Sequence, residues 1–119
     1  MPQTLTQAPK TAKKYKDRQR RHQRFSCGPN TFGLIQATSD TPLELAGVRN
    51  ISQSGAGLVF HRRLEIGRLV LLNIFNARRN FATRTTFRVI YSEEHQDGLF
   101  LLGGAFAQEL SPEEVNWLR

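Results

Sequence analysis

The sequence predicts an all-β fold: a small six-stranded antiparallel barrel with a short C-terminal α-helix and a flexible, basic N-terminal arm. Three observations lead there. From Phe25 onward, short apolar runs are divided by turn residues roughly every 8 to 12 positions, as in small sandwiches and barrels. Helical periodicity is confined to the last few residues. The excess positive charge is confined to the first 24.

The elements follow in order. Residues 1–18 are polar, rich in Thr, Gln and Lys, and hold almost nothing to bury, so they are expected to be a mobile arm preceding a domain over 19–119. Thr31–Thr38 is a first predicted strand, closed by Ser39-Asp40-Thr41-Pro42. Leu43–Ile51 is a second and Ala56–Phe60 a third, entered through Ser54-Gly55. Gly67–Phe75 is long and strongly apolar, turning at Asn76-Ala77-Arg78-Arg79-Asn80. Ala82–Ser92 alternates, which places Phe87, Val89 and Tyr91 on one face and Arg84, Thr86 and Arg88 on the other. Asp97-Gly98 is hairpin chemistry leading into Leu99–Ala107. Ser111-Pro112-Glu113-Glu114 then combines an N-cap serine, proline at the first helical position and glutamate three residues after the cap. A helix is expected from Pro112 toward Arg119, with Val115, Trp117 and Leu118 packing on the barrel.

Charge locates the function. The chain of 119 residues carries a net charge of +7. Residues 1–24 hold eight Lys and Arg against the single acid Asp17, whereas residues 25–119 hold nine of each sign. A basic arm on a neutral body suits a strap that closes over one anionic ligand, or a tail that seeks phosphates. The single cysteine, Cys27, cannot form an internal disulfide and fits a reducing, cytoplasmic setting. No apolar run approaches the roughly 20 residues of a membrane span. His22, His61 and His95 have no metal-ligand spacing, and neither a phosphate-binding loop nor a paired-carboxylate constellation is present. Cys27 and His22 have no visible third group to orient them as nucleophile and base, so a non-enzymatic binding module is expected.

Two short motifs carry the chemistry. Arg20 and Arg24, with Arg21 between them, stand where arm meets barrel. Guanidinium is always charged and presents a planar fork of donors that fits phosphate oxygens and the O6/N7 edge of guanine alike. The second motif, Asn50-Ile51-Ser52-Gln53-Ser54-Gly55, joins two predicted strands. Asn50 offers an amide and Ser52 a hydroxyl, and Gly55 permits a positive φ or a close backbone approach. Gly55-Ala56-Gly57 keeps the neighbouring surface low, so that a flat ring could lie on it.

Together these residues resemble the PilZ family of cyclic di-GMP receptors, whose signature is R-x-x-x-R followed across a strand by D/N-x-S-x-x-G. Here the parts are Arg20 to Arg24 and Asn50 to Gly55, separated by Phe25–Arg49. Gly67-Arg68-Leu69-Val70-Leu71 is similar to the glycine-led strand after the second motif, and Leu102-Gly103-Gly104-Ala105-Phe106 to the late G-x-x-F strand. The resemblance covers about Arg20 to Arg119. It implies a bacterial second-messenger receptor, without cofactor or metal, whose Arg20 and Arg24, with Arg21, reach phosphates and guanine edges. Asn50, Ser52 and Gly55 would hold a guanine, and a downstream protein partner would read the ordered arm. Asn50 stands where many members have aspartate, which gives a neutral acceptor, and Gln19 and Arg21 bear on whether one ligand or a stacked pair binds.

Blander readings attach to each feature. The arginines alone would be a solvated tail, and Asn50–Gly55 alone an ordinary turn. Gly103 and Gly104 would relieve a tight barrel corner, Arg62-Arg63 and Arg78-Arg79 would be exposed strand-end charges, and Trp117 would be core. The alternatives are a nucleic-acid-binding barrel with a basic arm, or a PilZ-like interaction domain without ligand. The neutral body and the lack of paired exposed aromatics argue against nucleic acid.

Overall fold

The computed structural model describes residues 22–119. Arg20, Arg21 and the arm expected over 1–18 lie outside the described residues. Among the described residues the strands are β1 (Phe25–Ser26), β2 (Thr31–Gln36), β3 (Glu44–Ile51), β4 (Gly55–Phe60), β5 (Leu69–Asn76), β6 (Phe81–Glu94) and β7 (Phe100–Phe106), followed by the helix α1 (Pro112–Leu118). All pairings are antiparallel. The order runs β1-β3-β2-β5-β6-β7-β4, and a further β3–β4 ladder closes six of the strands into a ring. The six-stranded barrel is therefore as expected, with β1 added. Two residues with no apolar alternation give no sequence signal for a strand.

β3 organises the ring because it is long enough to serve three neighbours. Its first half pairs with β2 along one edge, its last two residues pair with β1 on that same edge, and β4 lies along the other. Alternation does the sorting. β2 buries every second residue, and Ile35, Val48, Leu58, Leu72, Ile74, Phe87, Val89, Leu102 and Phe106 fill the interior. Val115 and Leu118 of α1 add to the same core. Ser111 caps that helix, accepting from the Glu114 N–H at 3.0 Å while Glu114 Oε1 accepts from the Ser111 N–H at 2.9 Å. The expected capping box is thus present.

The turn at Asp97-Gly98 is also present, with both residues at positive φ (58° and 74°). Three other expectations need correction. Trp117 is not core: it is 45% exposed, with its ring beside Phe81 and the Arg79 guanidinium over it. Arg62 is not simply a solvated charge, because it makes a two-point ion pair with Glu44 (3.1 and 2.7 Å). Tyr91 does not share a face with Phe87 and Val89. Val89 pairs with Gly104 and Tyr91 with Gly103, so Ile90 is an extra residue in the ladder and is 52% exposed. One inserted residue reverses the facing of everything after it.

Candidate functional site

The second motif forms the β3–β4 connection. The Ser52 N–H donates to the Gly55 carbonyl at 2.9 Å, and the Ser52 hydroxyl accepts from the Ser54 and Gly55 N–H groups at 3.2 and 3.1 Å. Ser52 is 1% exposed, so its hydroxyl is turned into the loop it stabilises. Gly55 matters for a related reason. A Cβ there would lie 2.2 Å from the Gly104 carbonyl oxygen, so the close approach anticipated at this glycine is to the neighbouring strand β7. The loop is tied further by Leu110 N–H to the Gln53 carbonyl and Phe106 N–H to the Ser54 carbonyl, both at 2.8 Å. Ser52 and Gly55 thus set the shape and position of the loop that follows Asn50.

Asn50 is brought outward by a bulge. Val48 pairs with Leu58, and Asn50 with Gly57, leaving Arg49 as the extra residue on β3. Without that insertion Asn50 would have the parity of the buried Val48 and point into the core. The bulge at Ile90 does the same for Tyr91 on β6. Both act on one transverse row: Asn50 pairs with Gly57, Gly57 with Gly103, and Gly103 with Tyr91. Two buried glycines from adjacent strands form the middle of the row, Gly57 beneath the Asn50 amide and Gly103 beneath the Tyr91 ring. The flanks press on the two glycines unequally. A Cβ on Gly57 would meet the Asn50 amide at 3.0 Å, and one on Gly103 would meet the Tyr91 ring at 2.0 Å. Gly103 therefore makes room for a ring beside the bulge in β6. A cleft of about 620 Å³ lined by Phe32, Leu45, Gly47, Arg49 and Val59 adjoins the Asn50 end.

The first motif meets this row at Asn50. Arg24, two residues before Ser26, donates from Nη1 to Asn50 Oδ1 at 2.7 Å, and Ser26 pairs with Asn50 across the β1–β3 ladder. Of the expected site residues, the structure therefore brings Arg24, Asn50, Ser52 and Gly55 together, with Arg20 and Arg21 outside the described residues. Tyr91 and Gly103 were not anticipated in the row, because a bulge leaves no periodic trace. Cys27 lies beside the arm root, and burial raises its thiol to about 11, with the Arg119 charge acting the other way. It is a poor nucleophile at neutral pH. His22 faces Glu109 at 3.3 Å. Among the described residues no group of three or more His, Cys, Asp or Glu could hold a metal ion, and no helix is long and apolar enough to cross a membrane.

An arginine from the arm held on an outward asparagine, beside a serine-locked loop, is the arrangement in which the two halves of the resemblance meet. The profile of the PilZ domain matches residues 18–119. The chain belongs to the PilZ domain family. This PilZ domain is similar in fold to YcgR of Escherichia coli, solved in complex with c-di-GMP, with TM-score 0.64 and 20% identity over 84% of this chain and 42% of that one. It is equally similar to the separate PilZ domain of YcgR with c-di-GMP (TM-score 0.64, 17% identity, 84% and 86% covered). It is also similar to the Bacillus subtilis inhibitor of motility MotI (TM-score 0.60, 15% identity, 84% and 48% covered). The chain thus spans less than half the length of whole YcgR or MotI. No curated protein sequence matches it.

Proposed function

We propose that this PilZ domain is a non-enzymatic, cytoplasmic receptor for cyclic di-GMP. The observation that carries the reading is the 2.7 Å hydrogen bond from Arg24 to Asn50, which joins the two motifs on the outer wall of the barrel. Arg20, Arg21 and Arg24 supply the charge for two phosphates, and their planar donors fit the O6/N7 edge of guanine. Asn50 offers its amide to a guanine edge, and the Tyr91 ring, which lies over Gly103 in the same row, offers an aromatic face to a flat base. Ser52 and Gly55 act by fixing the loop that presents Asn50. Binding gathers the arm against the barrel, and a protein partner reads the gathered state. The neutrality of residues 25–119 supports this division of labour, because attraction must then come from the arm.

Calorimetry with cyclic di-GMP tests the reading. Binding should weaken by about 30- to 100-fold in Arg24→Ala, the order expected for losing charge-assisted hydrogen bonds. Asn50→Ala should weaken it by about tenfold on the same scale. Absence of heat at high-micromolar ligand, or unchanged affinity in both variants, would overturn the assignment. Preference for single-stranded RNA with a steep salt dependence would favour the nucleic-acid alternative instead.

A further inference from the structure

Strand β1 is two residues long, yet it carries the root of the arm. Its ladder amounts to Phe25 opposite Ile51 and Ser26 opposite Asn50, extended by the Cys27 N–H bonded to the Arg49 carbonyl at 2.9 Å. So short a strand is marginal without side-chain packing. The packing comes from the far end of the sequence. The Arg119 guanidinium lies over the Phe25 ring, 3.9 Å from its centroid. Arg119 is itself held in place, because its N–H caps α1 on the Val115 carbonyl at 3.0 Å. The preceding Leu118 is fully buried, and its carbonyl accepts from Asn76 Nδ2 at 3.2 Å and from the Thr31 hydroxyl. A second tie runs from His22 to Glu109, before α1.

We infer that Arg119 is a positioning residue for the ligand site: by clamping Phe25 it holds the arm root on β3 and so keeps Arg24 over Asn50. The inference rests on the receptor reading for its consequence in affinity but not for its geometry. The helix α1 then belongs to the ligand-binding apparatus without touching ligand. The motif loop is fastened to the same region, since the Gln53 carbonyl accepts from the Leu110 N–H just ahead of α1. Both gripping elements are therefore anchored on one segment, and movement of the arm on binding reaches α1 directly.

The test uses the full chain and two readouts. In ligand-free protein, amide exchange at Cys27 should accelerate about fivefold in Arg119→Ala, the order of one cation–π contact. Exchange at Leu58 and Val89, in the barrel wall, should change less than about twofold on that scale. In Phe25→Leu, which keeps the apolar packing but removes the π face, adding Arg119→Ala should have no further effect at Cys27. Cyclic di-GMP affinity, read by calorimetry, should fall about fivefold in Arg119→Ala and recover in Arg119→Lys, which keeps the cation. Unchanged protection at Cys27, or an equal effect of Arg119→Ala with and without the Phe25 ring, overturns the inference. Because the exchange arm needs no ligand, failure of the wild type to bind cyclic di-GMP would defeat the receptor reading alone.

Discussion

Replacing Gly103 by alanine probes the row at its most crowded point. The added Cβ would lie 2.0 Å from Tyr91 Cε2, 2.3 Å from Cζ and 2.7 Å from Cδ2, so methyl and ring cannot coexist as they stand. What yields is the ring, because it is the outer end of a half-buried side chain, whereas the Gly103 backbone is fixed by ladders on both sides. The expected cost is about 1–2 kcal/mol, the usual range for an overpacked site with a way to relax. Gly104→Ala makes the contrast. Its Cβ would meet the Arg88 carbonyl oxygen at 2.3 Å and the fully buried Phe87 ring at 2.4 Å, and neither can retreat. Its cost should reach about 3 kcal/mol or more. Urea denaturation at constant m-value measures both. The decisive comparison is a double-mutant cycle: in a Tyr91→Ala background, Gly103→Ala should cost almost nothing, a coupling of about 1–2 kcal/mol. Additive costs would refute the placement of the ring over Gly103, and with it the aromatic face proposed for the base.

Three further outcomes are expected. Arg62 and His61 hold the Glu44 carboxyl down at about 2, chiefly through the Arg62 hydrogen bonds. A depressed carboxylate contributes stability above its unfolded value, near 4.3, and loses it as pH falls toward 2, so the gap between wild type and Glu44→Gln should close over that window in denaturation at stepped pH. The pair sits near the surface, so the gap at pH 6 should be about 1 kcal/mol or less. Ser111→Ala removes the cap that accepts from Glu114 and should cost about 1 kcal/mol in thermal denaturation, with no loss of strand signal. With its thiol raised to about 11, Cys27 should resist iodoacetamide at pH 8 while folded, roughly one molecule in a thousand carrying thiolate, and label readily in urea; fast labelling of the folded chain would contradict its burial.

Much of the barrel could be read in advance because alternation and turn chemistry are local. The strands β2 and β5, the Asp97-Gly98 turn and the Ser111 capping box each follow from residues within a few positions of one another. The site was only half legible. Arg24, Asn50, Ser52 and Gly55 are named by motif spacing, yet the direction of the Ser52 hydroxyl depends on which N–H groups the folded loop leaves for it. Tyr91 escaped for a sharper reason. Simple alternation assigns it to the core, and only pairing with β7 reveals Ile90 as an insertion. Arg49 is equally silent, since an arginine in a strand reads as an outward residue whether or not it is bulged. The clamp of Arg119 on Phe25 joins the two ends of the described chain, a distance over which no periodicity carries information.

The row from Asn50 to Tyr91 also bears on the order in which the protein matures. Its members come from β3, β4, β7 and β6, and the β3–β4 and β4–β7 ladders that connect them are the seam at which the sheet becomes a ring. The β4–β7 ladder joins segments far apart in sequence, the type of pairing that pays its loop entropy before any contact returns it and so forms slowly. A chain whose β2, β5 and β6 have assembled but whose ring is still open has not yet brought Asn50 and Tyr91 into one row. Ligand capture during refolding would accordingly lag the appearance of strand signal, and the lag would time the closing of the ring.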